Sequence, residues 1–290
     1  MRHKVEYWIF KFILGTLRWA PRPFANALAR GYVGMFDRLI PRFRRIAYRN
    51  LQIAMPGGEA ARITDGLFDS IARMMVAFSR FPDIDRTNIH NWIRYEGFEH
   101  YTEAKRRGRG VLFATAHMGA WELSAFAHAL LTEPMNIVVR PLDNLLIDAE
   151  VTKRRSSSGN TVIAKKDAAR AILGALRKNQ AVGVLVDQNV APEEGVFVDF
   201  FNTPACSGSA FVRIAHSSKA AVIPGFALWS EAEQRYVLRF YPLLEFTGDV
   251  QIDTQLLHSC LEQVVRQYPD QWFWIHRRWK TRPAGEGSLY

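Results

Sequence analysis

From residue 110 onward the chain alternates short β-rich apolar runs with amphipathic ones, and that alternation leaves few folds open. The runs RGVLFATA, NIVV, NTVIA and AVGVLVD are separated by GAWELSAFAHALL, LLIDAEVTKRR and DAARAILGALRKN, whose apolar residues recur at helical spacing. Strand–helix units of this length predict an α/β fold with a largely parallel central sheet flanked by helices. CSGSAFVRIAHSS predicts a further helix, AAVIPGFAL and RYVLRFYPLLEF strands, and TQLLHSCLEQVVRQY a last helix before the tail QWFWIHRRWKTRP. Upstream, residues 58–81 are helical in period and end at FPD. At 290 residues and 48% hydrophobic content the chain can bury a sizeable core. The expected organisation is a basic, hydrophobic N-terminal helical segment (1–57) ahead of an α/β domain (58–290).

Charge separates the two segments. Residues 1–56 hold eleven Lys and Arg against Glu6 and Asp37, nine of the ten net positive charges of the chain. YWIFKFILGTLRWAP is apolar for about fourteen residues, short of the roughly 20 that span a bilayer. On a helical wheel Lys4, Lys11, Gly15 and Arg18 form one stripe, with Trp8, Ile9, Phe10, Phe12 and Trp19 covering much of the rest. That pattern suits a helix lying in an anionic membrane surface, with lysine and arginine stems reaching to lipid phosphate. PRFRRIAYRNLQIAMP predicts a second basic helix. A buried core helix is the plainer alternative for 7–20. Nucleic acid is excluded as a partner, because the bases are interleaved with bulky aliphatics and no DNA or RNA motif is present. Two cysteines, Cys206 and Cys260, without CxxC or metal-finger spacing, point to a reducing compartment with neither a disulfide framework nor a metal site. No cleavable signal pattern precedes Pro21.

In parallel sheets chemistry gathers where strands end and helices begin. His117 stands at such a join, and Glu122 follows five residues on. Inside a regular helix residues five apart diverge, so the pair meets only if His117 lies in the turn and Glu122 in the first helical turn, which Gly119 permits. The plainer alternatives are a core histidine and an ordinary first-turn acid. Arg140 ends NIVVR before Pro141, where it can hold an oxyanion or a phosphate. Asp187 ends AVGVLVD and can pair with Arg140 or Arg155, or contact substrate. Arg154 and Arg155, followed by SSSG, form a candidate anion site or a solvated charge run. CSGSA is not the G-x-S-x-G elbow, which disfavours a serine hydrolase. In the tail His276, Arg277, Arg278, Lys280 and Arg282 sit among Trp272, Trp274 and Trp279, suited to docking on a membrane or an acidic carrier protein, or to capping the fold. The other histidines read as structural or surface.

HMGAWEL, VVRPLDNLLID, KRRSSSGN, VLVDQN, GVFVDFFNTPACSGSAFVRIA, AVIPGF and WFWIHRRWKTRP, in this order over nearly the whole chain, resemble the late acyltransferases of lipid A biosynthesis, relatives of the glycerol-phosphate acyltransferases. The resemblance implies transfer of a fatty acyl group from an acyl carrier protein thioester, or from acyl-CoA, to a hydroxyl of a lipid A precursor. It places that reaction at the cytoplasmic face of a Gram-negative inner membrane. In the H-x4-E motif His117 would be the general base and Glu122 the acid that orients its ring. Asp187 and Gln188 fall in the DQN block, and Ser207 and Gly208, with Ser209, match a small-residue helix start suited to an anion. With Arg140, Arg154 and Arg155 these are the expected substrate-binding positions. No resident cofactor or metal is implied. The alternatives are acylation of glycerophosphate or another glycolipid, and a membrane-binding scaffold of the same fold without turnover.

Overall fold

A computed structural model describes every residue of the chain except 167. Four helices open it: α1 (Arg2–Trp19), α2 (Arg22–Leu39), α3 (Arg42–Ala54) and α4 (Ala60–Ser79). Strand β1 (Ile93–Glu96) and helix α5 (Phe98–Arg106) follow. The alternating body then runs β2 (Val111–Thr115), α6 (Trp121–Leu131), β3 (Asn136–Val139), α7 (Leu145–Ser156), β4 (Thr161–Ala164), α8 (Ala168–Arg177) and β5 (Ala181–Leu185). After the hairpin β6 (Gly195–Asp199) and β7 (Pro204–Gly208) come α9 (Ala210–Ser218), β8 (Ala221–Ser230), β9 (Arg235–Phe240) and α10 (Val250–Gln267). Seven strands form one sheet in the order β1-β9-β8-β2-β5-β3-β4. The block β8-β2-β5-β3-β4 is parallel, β9 runs against β8, and β1 is parallel to β9. The sheet is therefore mostly parallel and flanked by helices, as the alternation of the sequence predicts. The helix expected from residue 167 begins at Ala168 among the described residues.

Three parts of this frame lie outside the periodicity reading. β1 and α5 carry too few apolar residues at regular spacing to stand out. In α2 the small residues Ala25 and Ala29, with Val33, face α4, while Phe24, Leu28, Met35 and Leu39 face outward. And Cys206–Gly208, read as the start of a helix, instead pairs antiparallel with Gly195–Phe197 in the β6–β7 hairpin, so α9 starts only after Ser209.

The N-terminal helices are packed against the body. Leu14 of α1 belongs to the same apolar cluster as Phe78, Phe81 and Phe126, and Leu17 meets Ala25, Ala29 and Val76. The basic stripe of α1 is partly spent on this packing. Lys11 reaches Glu150 on α7 (3.4 Å), and Arg18 grips Asp83 through Nη2 (2.6 Å) and Nε (2.8 Å). These two cations therefore do not reach outward, as the wheel suggests; Trp8, Phe12 and Trp19 do, at 67%, 64% and 79% exposure. No helix among the described residues is long and apolar enough to cross a membrane.

The turn that carries the chain from β2 into α6 is tied down at Gly119. Its φ is +56°, its N–H donates to the Gln271 carbonyl (2.8 Å), and a Cβ there would fall 2.0 Å from the Ala227 carbonyl oxygen of β8. Only glycine fits this position. Gly119→Ala is expected to lose at least roughly 2 kcal/mol in urea unfolding. Gly174→Ala, in open space on α8, is expected to be neutral or to gain up to ~1 kcal/mol, so the contrast isolates the turn.

Candidate active site

β2 and β5 are adjacent and parallel, so their C-terminal ends lie side by side, and the residues just beyond them meet. Asp187, two residues past β5, is 3% exposed. Its Oδ1 accepts from Nδ1 of His117 (2.9 Å), and its Oδ2 accepts from the His117 backbone N–H (3.0 Å) and the Trp272 indole N–H (2.9 Å). A proton on Nδ1 leaves Nε2 of the imidazole as a lone-pair acceptor. The C-terminal tail completes the frame: Phe273 N–H donates to the His117 carbonyl (2.9 Å), and the rings of Trp121 and Phe273 flank the imidazole at 5.3 and 5.9 Å.

The electrostatics follow from this packing. Burial alone would push the His117 ring below its ordinary value, but the Asp187 carboxylate outweighs it, and Glu122 nearby adds to the rise. Burial would likewise raise Asp187; the His117 ring and the indole and amide donors carry it down to about 2. The pair is thus held as carboxylate and basic imidazole.

Glu122 is not the acid on this histidine. It lies in the first turn of α6 but faces α7, where its two oxygens receive Nε (2.8 Å) and Nη2 (2.5 Å) of Arg155 in a bidentate pair. The Gly119 turn sets α6 so that Glu122 points away from Nδ1, and Asp187, seventy residues on, takes the place expected for it. Asp187 accordingly pairs with neither Arg140 nor Arg155. The remaining Nη1 of Arg155 is buried and finds no partner among the described residues.

Glu122, Arg155 and Trp121 also line an apolar cavity that extends past Phe113, Phe126, Ile137, Leu185 and Phe240. It reaches His128, six residues or ~9 Å further along α6.

Other expected site residues go elsewhere. Arg140 is exposed and lies 3.7 Å from the also exposed Asp143, its one acidic neighbour among the described residues. Arg154 points opposite to Arg155: it is buried against α4, donating to the Ser79 carbonyl (3.2 Å) and pairing with Glu150 (3.3 Å), so the two arginines make no joint anion site. The Gln188 side chain is exposed. Ser207 is fully buried within β7, its hydroxyl bonded to the Ala205 carbonyl and to Arg278, and Gly208 ends that strand; neither opens a helix. In the tail Trp272, Trp274, Trp279 and Arg278 are buried and cap the fold, while Arg277 and Lys280 are exposed. His276 accepts from the Asn189 N–H (3.0 Å) and is pushed by burial to about 4. Among the described residues no three His, Cys, Asp or Glu side chains stand together as a metal ligand set. Trp272 is the contributor that spacing did not single out; its signal was a tryptophan-rich tail too apolar to stay in water.

Residues 1–281 match the family model described as bacterial lipid A biosynthesis acyltransferase. The chain belongs to this family. Among its relatives, the lipid A biosynthesis palmitoleoyltransferase of Escherichia coli K12 is 28% identical over 98% of this chain and 95% of its own length. The lauroyltransferase of the same organism is 27% identical over 98% and 95%, and its myristoyltransferase 24% identical over 98% and 89%.

The lowered Asp187 fixes the sign of a stability test. Its contribution is present above the unfolded carboxyl value near 4 and is lost as pH falls towards about 2. The raised His117 contributes below roughly 6.5 and loses its share as pH rises through its folded value. Urea unfolding should find Asp187→Asn weaker by about 1–3 kcal/mol near pH 5. The gap to the wild type should narrow on both the acid and the alkaline side.

Proposed function

We propose that the chain transfers a fatty acyl group from an acyl carrier protein thioester to a hydroxyl of a lipid A precursor, at the cytoplasmic face of the inner membrane. The observation that carries this reading is the His117–Asp187 pair standing beside an apolar cavity lined by Arg155 and Glu122, in a member of an acyltransferase family. Acyl-CoA presents the same thioester and is the second donor.

In this scheme the cavity takes the acyl chain, which brings the thioester carbonyl towards Arg155 and His117. Nε2 of His117 removes the proton of the acceptor hydroxyl as its oxygen attacks the carbonyl carbon. Asp187 holds the tautomer that makes Nε2 the base and stabilises the imidazolium that forms. The unpaired Nη1 of Arg155 donates to the oxyanion, and Glu122 fixes the guanidinium so that this donor is in place beforehand. The oxyanion then collapses to the ester carbonyl as the C–S bond breaks, and the imidazolium returns its proton to the departing thiolate. No covalent enzyme intermediate and no resident cofactor enter the scheme.

The exposed Trp8, Phe12, Trp19, Phe24 and Leu39 of α1 and α2, together with the exposed Arg38, Arg42 and Arg45, support attachment to an anionic bilayer without crossing it. The lipid substrates then need not leave the membrane to meet the site.

Purified protein given acyl carrier protein thioesters and a lipid A precursor should yield a product heavier by one acyl chain in mass spectrometry. His117→Ala should lower the rate by at least roughly 10²-fold. Transfer to glycerophosphate alone would reject the lipid A acceptor, a rate indifferent to His117 would reject the imidazole as base, and no transfer to any acceptor would leave a membrane-binding scaffold. In vesicle sedimentation, Trp8→Ser with Phe12→Ser should release the protein from anionic vesicles more completely than a salt wash of the wild type.

A further inference from the structure

A second polar cluster stands on the same rim of the sheet as His117. β8 runs parallel to β2 and ends at Ser230; β9 returns from Arg235. Trp229 and Tyr236 face each other across this hairpin, their rings 5.1 Å apart, and Ile93, opposite Tyr236 in β1, brings Trp92 to the same edge. Two arginines converge there from the N-terminal helices. Arg73 of α4 lies 5.3 Å from the Trp229 ring, and Arg22, the first residue of α2, stacks over Trp92 at 4.2 Å.

The cluster is rich in donors and poor in acceptors. Tyr236 is 2% exposed, and its hydroxyl finds no partner among the described residues; neither do Nε of Arg73 and the indole N–H of Trp229. The carboxylate nearest to Arg73 is Glu231, at 3.7 Å and 74% exposed, a long contact that water weakens. Arg80 adds charge beside Arg22, although its Nη2 is occupied by the Leu17 and Ala20 carbonyls. The Arg73 and Arg22 charges act directly on the Tyr236 phenol, which places all three groups within one electrostatic neighbourhood. Buried donors left unmade are costly, and three of them beside two weakly compensated guanidinium groups ask for an anion with several acceptor oxygens.

The distance to the reaction centre is short. Gln271 ties the two together: its carbonyl accepts from the Gly119 N–H and its Oε1 from the Trp229 backbone N–H, both at 2.8 Å. Gly119 bridges Ala227, and Trp229 lies two residues beyond, roughly 7 Å along the strand.

We propose that Arg22, Arg73, Tyr236 and Trp229 form a phosphate-binding subsite, and that its occupant during turnover is a phosphate on the lipid-linked acceptor. Assignment to the acceptor rests on the function proposed above; binding of phosphate as such does not. The subsite would hold the polar headgroup while an acyl-chain hydroxyl reaches Nε2 of His117, and Arg22 would join it to the membrane-facing helices.

Inorganic phosphate added to the purified full-length protein should raise its Tm in a concentration-dependent way, and Arg73→Met and Tyr236→Phe should abolish the rise. Tyr236→Phe removes a hydroxyl without a protein partner, so its Tm without phosphate should equal or exceed that of the wild type, which separates lost binding from misfolding. In steady-state assays both variants should raise KM for a phosphorylated acceptor by at least roughly tenfold, with kcat within roughly twofold and no change for an acceptor lacking that phosphate. Equal phosphate stabilisation in wild type and variants would overturn the subsite. Unchanged KM together with weakened binding to phosphatidylglycerol vesicles would assign it to bilayer phospholipid and overturn the acceptor as occupant. Arg73-dependent phosphate binding in a protein that acylates no lipid A precursor would retain the subsite and reject the function.

Discussion

The Asp187 carboxylate is the point on which the site turns. It is buried, and a buried carboxylate without donors is too costly to keep charged. Three donors meet it, from the His117 ring, the His117 amide and the Trp272 indole, and they belong to segments far apart in the chain. β2 has to lie beside β5 for the first two, and the tail has to fold back over the sheet for the third. The same contacts that satisfy the charge orient the base, so assembling the fold and assembling the dyad are one event. The tail is therefore part of the site: the Trp272 indole bonds Asp187, and Phe273 meets the histidine through both its backbone N–H and its ring.

How much of this the sequence disclosed depends on whether the interaction is local. The alternation of strands and helices is a local pattern, and with it came the parallel sheet and the position of His117 at the end of β2. The identity of its partner is not local. H-x4-E fixes a spacing, but the direction of Glu122 depends on the backbone at Gly119, where φ is +56° and the N–H is held by Gln271. Asp187 was visible as the end of an apolar strand, yet which strand end lies next to it is set by the order β2-β5-β3, which periodicity does not encode. The helix expected at Cys206 failed for a similar reason, because pairing with GVFVD across the hairpin overrode the local preference of a short polar stretch.

Charge shows the same distinction. The basic excess of the first 56 residues is plain in the composition, but composition cannot say which cations are already neutralised. Lys11 and Arg18 find Glu150 and Asp83, and Arg44 finds Asp37 and Asp65, so these contribute to packing before they contribute to any partner. What remains outward on α1 is chiefly apolar. A helix fixed in this way presents its tryptophans as a rigid platform.

The two carboxylates near His117 divide the labour that one motif suggests for a single residue. A transferring acyl group develops negative charge on the carbonyl oxygen while the base becomes positive, so the site needs an anion behind the imidazole and a cation before the oxyanion. In the proposed reaction Asp187 fills the first place and Arg155 the second. Were Glu122 bonded to Nδ1, Arg155 would be left buried without a counter-charge, and its guanidinium would swing towards whichever acid it met. The bidentate pair prevents this: both Glu122 oxygens are spent on Nε and Nη2, which fixes the plane of the guanidinium and leaves Nη1 as the one nitrogen free to donate. Aspartate in this position, one methylene shorter, would have to draw α6 and α7 together to make the same two bonds, so the glutamate of the motif is explained by the reach to Arg155 and not by the reach to the histidine.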